Sequence, residues 1–190
     1  VATLAAAQAI FQTASTLVMT VGGLAGAALA GDPALATLPI AGMFLGTAAV
    51  TFPASLWMAR VGRRAGFVLG ALLGVAGGAA AAAGIFIGSL WLLTTGTFLV
   101  GAYQAFAQFY RFAAGEAADD AFRPRAIALV LAGGVVAAFL GPWLARMGGP
   151  LLEPIYVGSF LLLALTSLLG AGVLMTLQGI EAVGAPSQDE

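Results

Sequence analysis

In a chain this apolar, the side chains able to do chemistry are few, and their spacing is informative. Gln8, Gln12, Ser15 and Met19 recur at i, i+4, i+7 and i+11, which puts them on one face of one helix. Gln104, Gln108 and Arg111 repeat the pattern, with Tyr103 and Tyr110 beside them. Amides donate and accept hydrogen bonds, whereas a guanidinium only donates. Together they can replace the hydration shell of a polar solute, and Arg111 favours an anionic or hydrogen-bond-accepting group. Two other roles stay open from residue type alone. Arg111 can snorkel to a membrane interface, and the glutamines can tie helices together. Bond-breaking chemistry is poorly supplied. Cys and His are both absent, which removes disulfides, thiol chemistry, most zinc sites and His-dependent triads. An intramembrane hydrolase would lack its base, and no G-x-S-x-G is present. The residues therefore predict a non-enzyme that uses no cofactor and binds no metal.

Lipid must be the solvent for the elements that carry these residues. Of 190 residues 61% are hydrophobic and 8% charged, with a mean hydropathy of +1.04. A soluble chain carries about 25% charged residues. All seven basic residues are Arg and the net charge is −1, so nucleic acid is not a partner. A membrane helix needs about 20 apolar residues. Six such stretches lie between polar breaks, at about 4–30, 34–59, 65–87, 90–114, 124–145 and 153–177. Strand readings fail because the runs do not alternate. The fold expected is an all-α membrane protein, with a six-helix domain over 1–178 and a polar tail or linker over 179–190. If both ends are cytoplasmic, the inner loops hold Arg60, Arg63, Arg64, Arg123 and Arg125, against Arg146 alone outside. That satisfies the positive-inside bias, although the acidic tail after Gln178 departs from it.

Two segments repeat as W-x-A-R-x-G, at Trp57–Gly62 and Trp143–Gly148, 86 residues apart. The same offset carries the start of the first span onto the start of the fourth. Three helices is an odd number, so the second triplet must be upside down: a 3+3 inverted repeat. In that topology Gln8 is level with Arg111, and Gln12 with Gln108 about 6 Å deeper. Two polar faces at matching depth predict a shared wet cavity, with the first and fourth helices lining the path. Small residues predict close packing: Gly66, Gly70, Gly74 and Gly78 form a ridge on the third span. Gly141-Pro142 predicts a kink in the fifth.

Taken together, these features resemble the N-terminal six-helix half of a major facilitator superfamily transporter, over nearly the whole chain. Ser55-x-x-x-Ala59-Arg60-Val61-Gly62-Arg63-Arg64 looks like that superfamily's G-x-x-x-D-R-x-G-R-R, with Ser55 and Ala59 replacing the Gly and Asp. The resemblance implies a cytoplasmic gating network in which Arg63 pairs with Glu116, Asp119 or Asp120. The run Phe109-Tyr110-Arg111-Phe112-Ala113-Ala114 before an acidic loop looks like a bacterial subgroup that includes copper and riboflavin importers. Copper would want a cluster of soft ligands, and the five Met residues include no i, i+4 pair. The expected function is carriage of a small molecule or ion across the bacterial inner membrane by alternating access, with a second six-helix half as partner and lipid around both. The other class is a self-contained six-helix protein acting as a homodimer, or as a non-transporting subunit of a membrane complex. No carboxylate lies in mid-membrane, so a proton coupling site would belong to another part of the protein.

Overall fold

The computed structural model describes residues 1–177 and is all-helical over them. The expected tail at 179–190 lies outside the described residues. Helix α1 spans Ala2–Leu29, α2 Leu38–Val61, α3 Arg63–Phe86, α4 Leu90–Ala107, α5 Tyr110–Glu116, α6 Arg123–Gly148 and α7 Val157–Met175. With α4 and α5 counted as one, six helices among the described residues are long and apolar enough to cross a membrane. The chain is an integral membrane protein.

Local chemistry sets the joints. After α1, the Asp32 carboxylate accepts from Ala34 N at 2.9 Å and caps a short turn at Pro33–Leu35. Pro39 then starts α2, where a missing N–H costs nothing. A single non-helical residue, Gly62, separates α2 from α3. Its φ of 91° is one that L side chains rarely adopt, which accounts for the glycine in the Arg-Val-Gly-Arg-Arg run. At the opposite end Gly88, also at positive φ, turns the chain into α4, and Ser89 accepts from Leu92 N at 3.3 Å. The second W-x-A-R-x-G copy behaves differently from the first. Gly148 stays helical as the last residue of α6, and a Cβ on it would stand 2.5 Å from Ser159 Cα. One glycine makes a turn and the other a contact.

Packing follows the two triplets. The α1/α6 contact of one arrangement is matched by the α4/α2 contact of the other, α3/α4 by α7/α1, and α2/α3 by α6/α7. The α3/α7 and α1/α4 pairs map onto themselves. Exchanging the first helix of each triplet with the fourth, the second with the fifth and the third with the sixth maps these main contacts onto one another, as an inverted repeat requires. Glycine lets the backbones approach. Gly46 faces the Phe98 carbonyl and Gly101 the Met43 carbonyl across the α2/α4 seam, while Gly133 faces Ala5 across α1/α6. On α3 the ridge divides its duties: Gly70 faces Phe106, Gly74 faces Tyr103 and Ser167, and Gly78 faces α7. Removing side chains here replaces lipid contact with interhelical dispersion contact. Two buried clusters result. One, built on Leu4, Phe11, Phe67, Tyr103, Phe106 and Tyr110, lies toward the arginine-rich end. The other, built on Leu17, Val18, Met43, Leu93, Val100 and Phe160, fills the opposite half. Helices α2 and α6 flank the bundle and leave large apolar faces uncovered, including Phe52, Val135 and Phe139.

Candidate functional site

A cavity of about 360 Å³ opens between α1, α4, α5 and α6. Its walls are Gln8, Phe11 and Gln12 from α1, Gln104 and Ala107 from α4, Gln108 from the turn after it, Arg111 from α5 and Leu131 from α6. Five of the seven residues expected on the path therefore share one space. Ser15 and Met19 do not. Ser15 is buried one turn further along α1, and Met19 is exposed elsewhere. Beyond Gln12 the α1 face meets the apolar cluster of Leu17 and Val18, so the polar stripe outruns the cavity.

The helix that carries the other half of the site is interrupted. Gln108 N still donates to Gln104 O at 3.1 Å, but Phe109 N donates to Phe106 O at 3.1 Å, a tightened three-residue turn. It separates α4 from α5 between Gln104 and Arg111. Irregular backbone at membrane depth is tolerated where it lines a polar cavity, and this turn does. On α6 Gly134 faces Gln12, and a Cβ there would meet Gln12 Cγ at 3.8 Å, an ordinary contact. Phe11 is held edge-on by Tyr103, with centroids 5.0 Å apart at 72°, an arrangement that fixes the ring in place. Thr47 of α2 touches Gln104 from behind the wall, at 3.3 Å.

Charge in the cavity has one sign. Among the described residues Arg111 is its only ionised side chain, and none of the carboxylates among them stands in the wall. Its guanidinium carbon lies 5.0 Å over the Phe112 ring, a cation–π contact that steadies the side chain. Among the described residues Arg111 makes no salt bridge. The site offers a fixed donor and four adaptable amides beside one aromatic ring. That suits a polar, partly aromatic solute with acceptor oxygens or nitrogens.

At the arginine-rich end, Arg63 pairs with Glu116 at 2.5 Å, joining α3 to α5. Asp120 pairs with Arg123 instead at 3.1 Å. Asp119 contributes its backbone carbonyl to Phe122 and Arg123 N–H groups at the start of α6. Arg64 reaches the Met175 carbonyl and satisfies an orphan acceptor at the end of α7. Arg60 is exposed on the last turn of α2 beside Trp57. Gly141 and Pro142 lie inside α6, which runs through them without a break, and Gly141 is pressed against Thr13 and Thr16 of α1.

Residue spacing found the glutamines and Arg111, but not Leu131, Gly134, Thr47 or the turn at Gln108–Phe109. Their types carry no signal, because a cavity-facing leucine and a lipid-facing one look alike in a sequence.

No family model matches the chain. It is 43% identical over 173 residues to the riboflavin transporter RfnT of Brucella anthropi, an alignment covering 90% of this chain and 44% of the relative. The chain thus spans less than half the length of that relative.

Proposed function

We propose that these residues form one six-helix half of a secondary transporter of the major facilitator type, working by alternating access. In this reading both ends face the cytoplasm of a bacterial inner membrane, a second six-helix half covers the exposed faces of α2 and α6, and the cavity holds the solute. The observation that carries it is the convergence of Gln8, Gln12, Gln104, Gln108 and Arg111 on one space inside a lipid-soluble bundle. Placing five such groups among membrane helices is costly unless something polar uses them. Riboflavin is the solute favoured. It has a flat ring bearing carbonyls for Arg111 and the amides, and a hydroxylated chain for the rest, and the matched relative is named for its transport. The reaction is movement only, with no bond made or broken.

The test exploits the absence of Cys from the chain. In full-length protein cleared of any cysteine elsewhere, Leu131→Cys puts a thiol in the cavity wall without removing a polar group. Leu165→Cys puts one on the exposed face of α7, a helix the second half leaves to lipid in this reading, at a residue 56% exposed. A charged, membrane-impermeant thiol reagent should label Leu131→Cys at least tenfold faster, and riboflavin should slow that labelling. Equal rates at both positions, indifferent to the flavin, would end the proposal.

In the same reading Arg63 and Glu116 latch one conformation. The pair is part-exposed, at 22% and 48% for the two side chains. Such a pair is worth at most about 1 kcal/mol to the fold. Glu116→Gln should therefore leave thermal unfolding nearly unshifted while changing the uptake rate severalfold. A transport rate equal to wild type would remove the pair from gating.

A further inference from the structure

We propose that Thr47 is a positioning residue, which fixes the Gln104 amide with its carbonyl oxygen free toward the cavity, so that the solute must bring an N–H or O–H donor to this wall. The inference rests on the transporter reading above and adds a specificity to it.

The reasoning starts from proton counting. Thr47 Oγ1 has three oxygen neighbours: Gly101 O at 3.0 Å, Met43 O at 3.1 Å and Gln104 Oε1 at 3.3 Å. A hydroxyl has one proton to give and lone pairs to receive others. The two backbone carbonyls can only accept. The side-chain amide is the one neighbour that can become a donor, because turning it over exchanges oxygen and nitrogen in nearly the same volume. With the amide turned, Thr47 donates to a carbonyl and Gln104 Nε2 donates to Thr47 Oγ1. Two of the three contacts then carry a proton, and the third is to a backbone carbonyl that a helical N–H can already supply. With the amide unturned, Thr47 must choose between Gln104 and the carbonyls, and oxygens are left facing each other without one. Inside a low-dielectric bundle that difference decides the orientation.

The seam makes this possible. Gly101 has no side chain, and a Cβ there would stand 3.0 Å from Thr47 N. Only because α2 and α4 come this close can a short threonine reach across to both Gly101 and Gln104. The consequence is a cavity with opposed walls: Arg111 donates, and the Gln104 oxygen accepts. A solute with acceptors alone would satisfy Arg111 and leave Gln104 unpaired. Imides, ureides and polyols satisfy both.

The experiment measures riboflavin uptake by the full-length protein in proteoliposomes. Thr47→Val keeps the side chain's shape and removes its hydroxyl. It should raise KM about three- to tenfold, the value of one hydrogen bond, with the maximal rate changed less than about twofold. Thr47→Ser should restore KM. Gln104→Leu removes the accepting oxygen and should lose as much as Thr47→Val or more. Unchanged KM in Thr47→Val beside a raised KM in Gln104→Leu would overturn the positioning role alone. If Gln104→Leu and Arg111→Ala both transport like wild type, the solute site itself is misplaced and the underlying reading falls too.

Discussion

Arg111→Ala in the full-length protein should reduce riboflavin uptake at low concentration between about tenfold and a hundredfold, with membrane insertion unchanged. A hydrogen bond to a charged group is worth about 1.5–3 kcal/mol, and each 1.4 kcal/mol is a factor of ten. The upper part of that range is favoured because, among the described residues, no second cation stands in the cavity wall to take over. Arg111→Lys separates the site from the snorkelling alternative. A residue that only carries charge to the interface tolerates lysine. One that offers a planar fork to a carbonyl edge does not. Arg125→Ala makes the same change of charge on α6, in a separate groove with Phe122 and Leu129, and should transport normally. Wild-type uptake by Arg111→Ala would take the residue out of the path.

The largest effect on the fold is expected at the α2/α4 seam. A Cβ at Gly101 would lie 1.9 Å from the Met43 carbonyl oxygen, where no atom fits. The neighbour is backbone, so no rotamer change relieves the clash, and α2 must move away from α4. Gly101→Val should cost roughly 3 kcal/mol or more, at or beyond the upper end of ordinary overpacking. The result should be a large fall in the melting temperature of the detergent-solubilised protein, or no folded yield. Gly172→Val is the matched control, since nothing lies within 4 Å of a Cβ at that helical position. Equal melting temperatures for the two variants would contradict the close approach.

Much of the architecture could be read from residue order because membrane physics writes it coarsely. Long apolar runs have no stable alternative to helix in lipid, and punctuation such as Gly31-Asp32-Pro33 or Gly88-Ser89 has to fall outside them. The helix ends nevertheless moved by several residues: α2 starts at Leu38 rather than near 34, and α6 continues to Gly148 rather than stopping near 145. Gly149 and Pro150 come later than the Arg146 that marked the expected end, and a single arginine does not stop a helix. The division of the fourth span was illegible for a different reason. Gln104-Ala105-Phe106-Ala107-Gln108-Phe109-Tyr110 contains neither glycine nor proline, so no local preference announces the tightened turn. The polar half of the cavity was legible because a glutamine in hydrocarbon is costly enough to be conspicuous. The apolar half was not, since Leu131 differs from Leu129 only in what it faces, and that is a property of the assembled bundle. Thr47 was hidden by its ordinariness. Threonines on these helices mostly bond their own backbone one turn back, as Thr13 and Thr51 do.

The one-residue joint at Gly62 bears on how the chain is made. Two long helices with a lone glycine between them leave no slack for the first to settle in lipid while the second waits outside. With so short a joint, α2 and α3 should enter the membrane together as one hairpin. Its bend carries Arg60, Arg63 and Arg64, whose guanidinium groups are costly to draw into hydrocarbon.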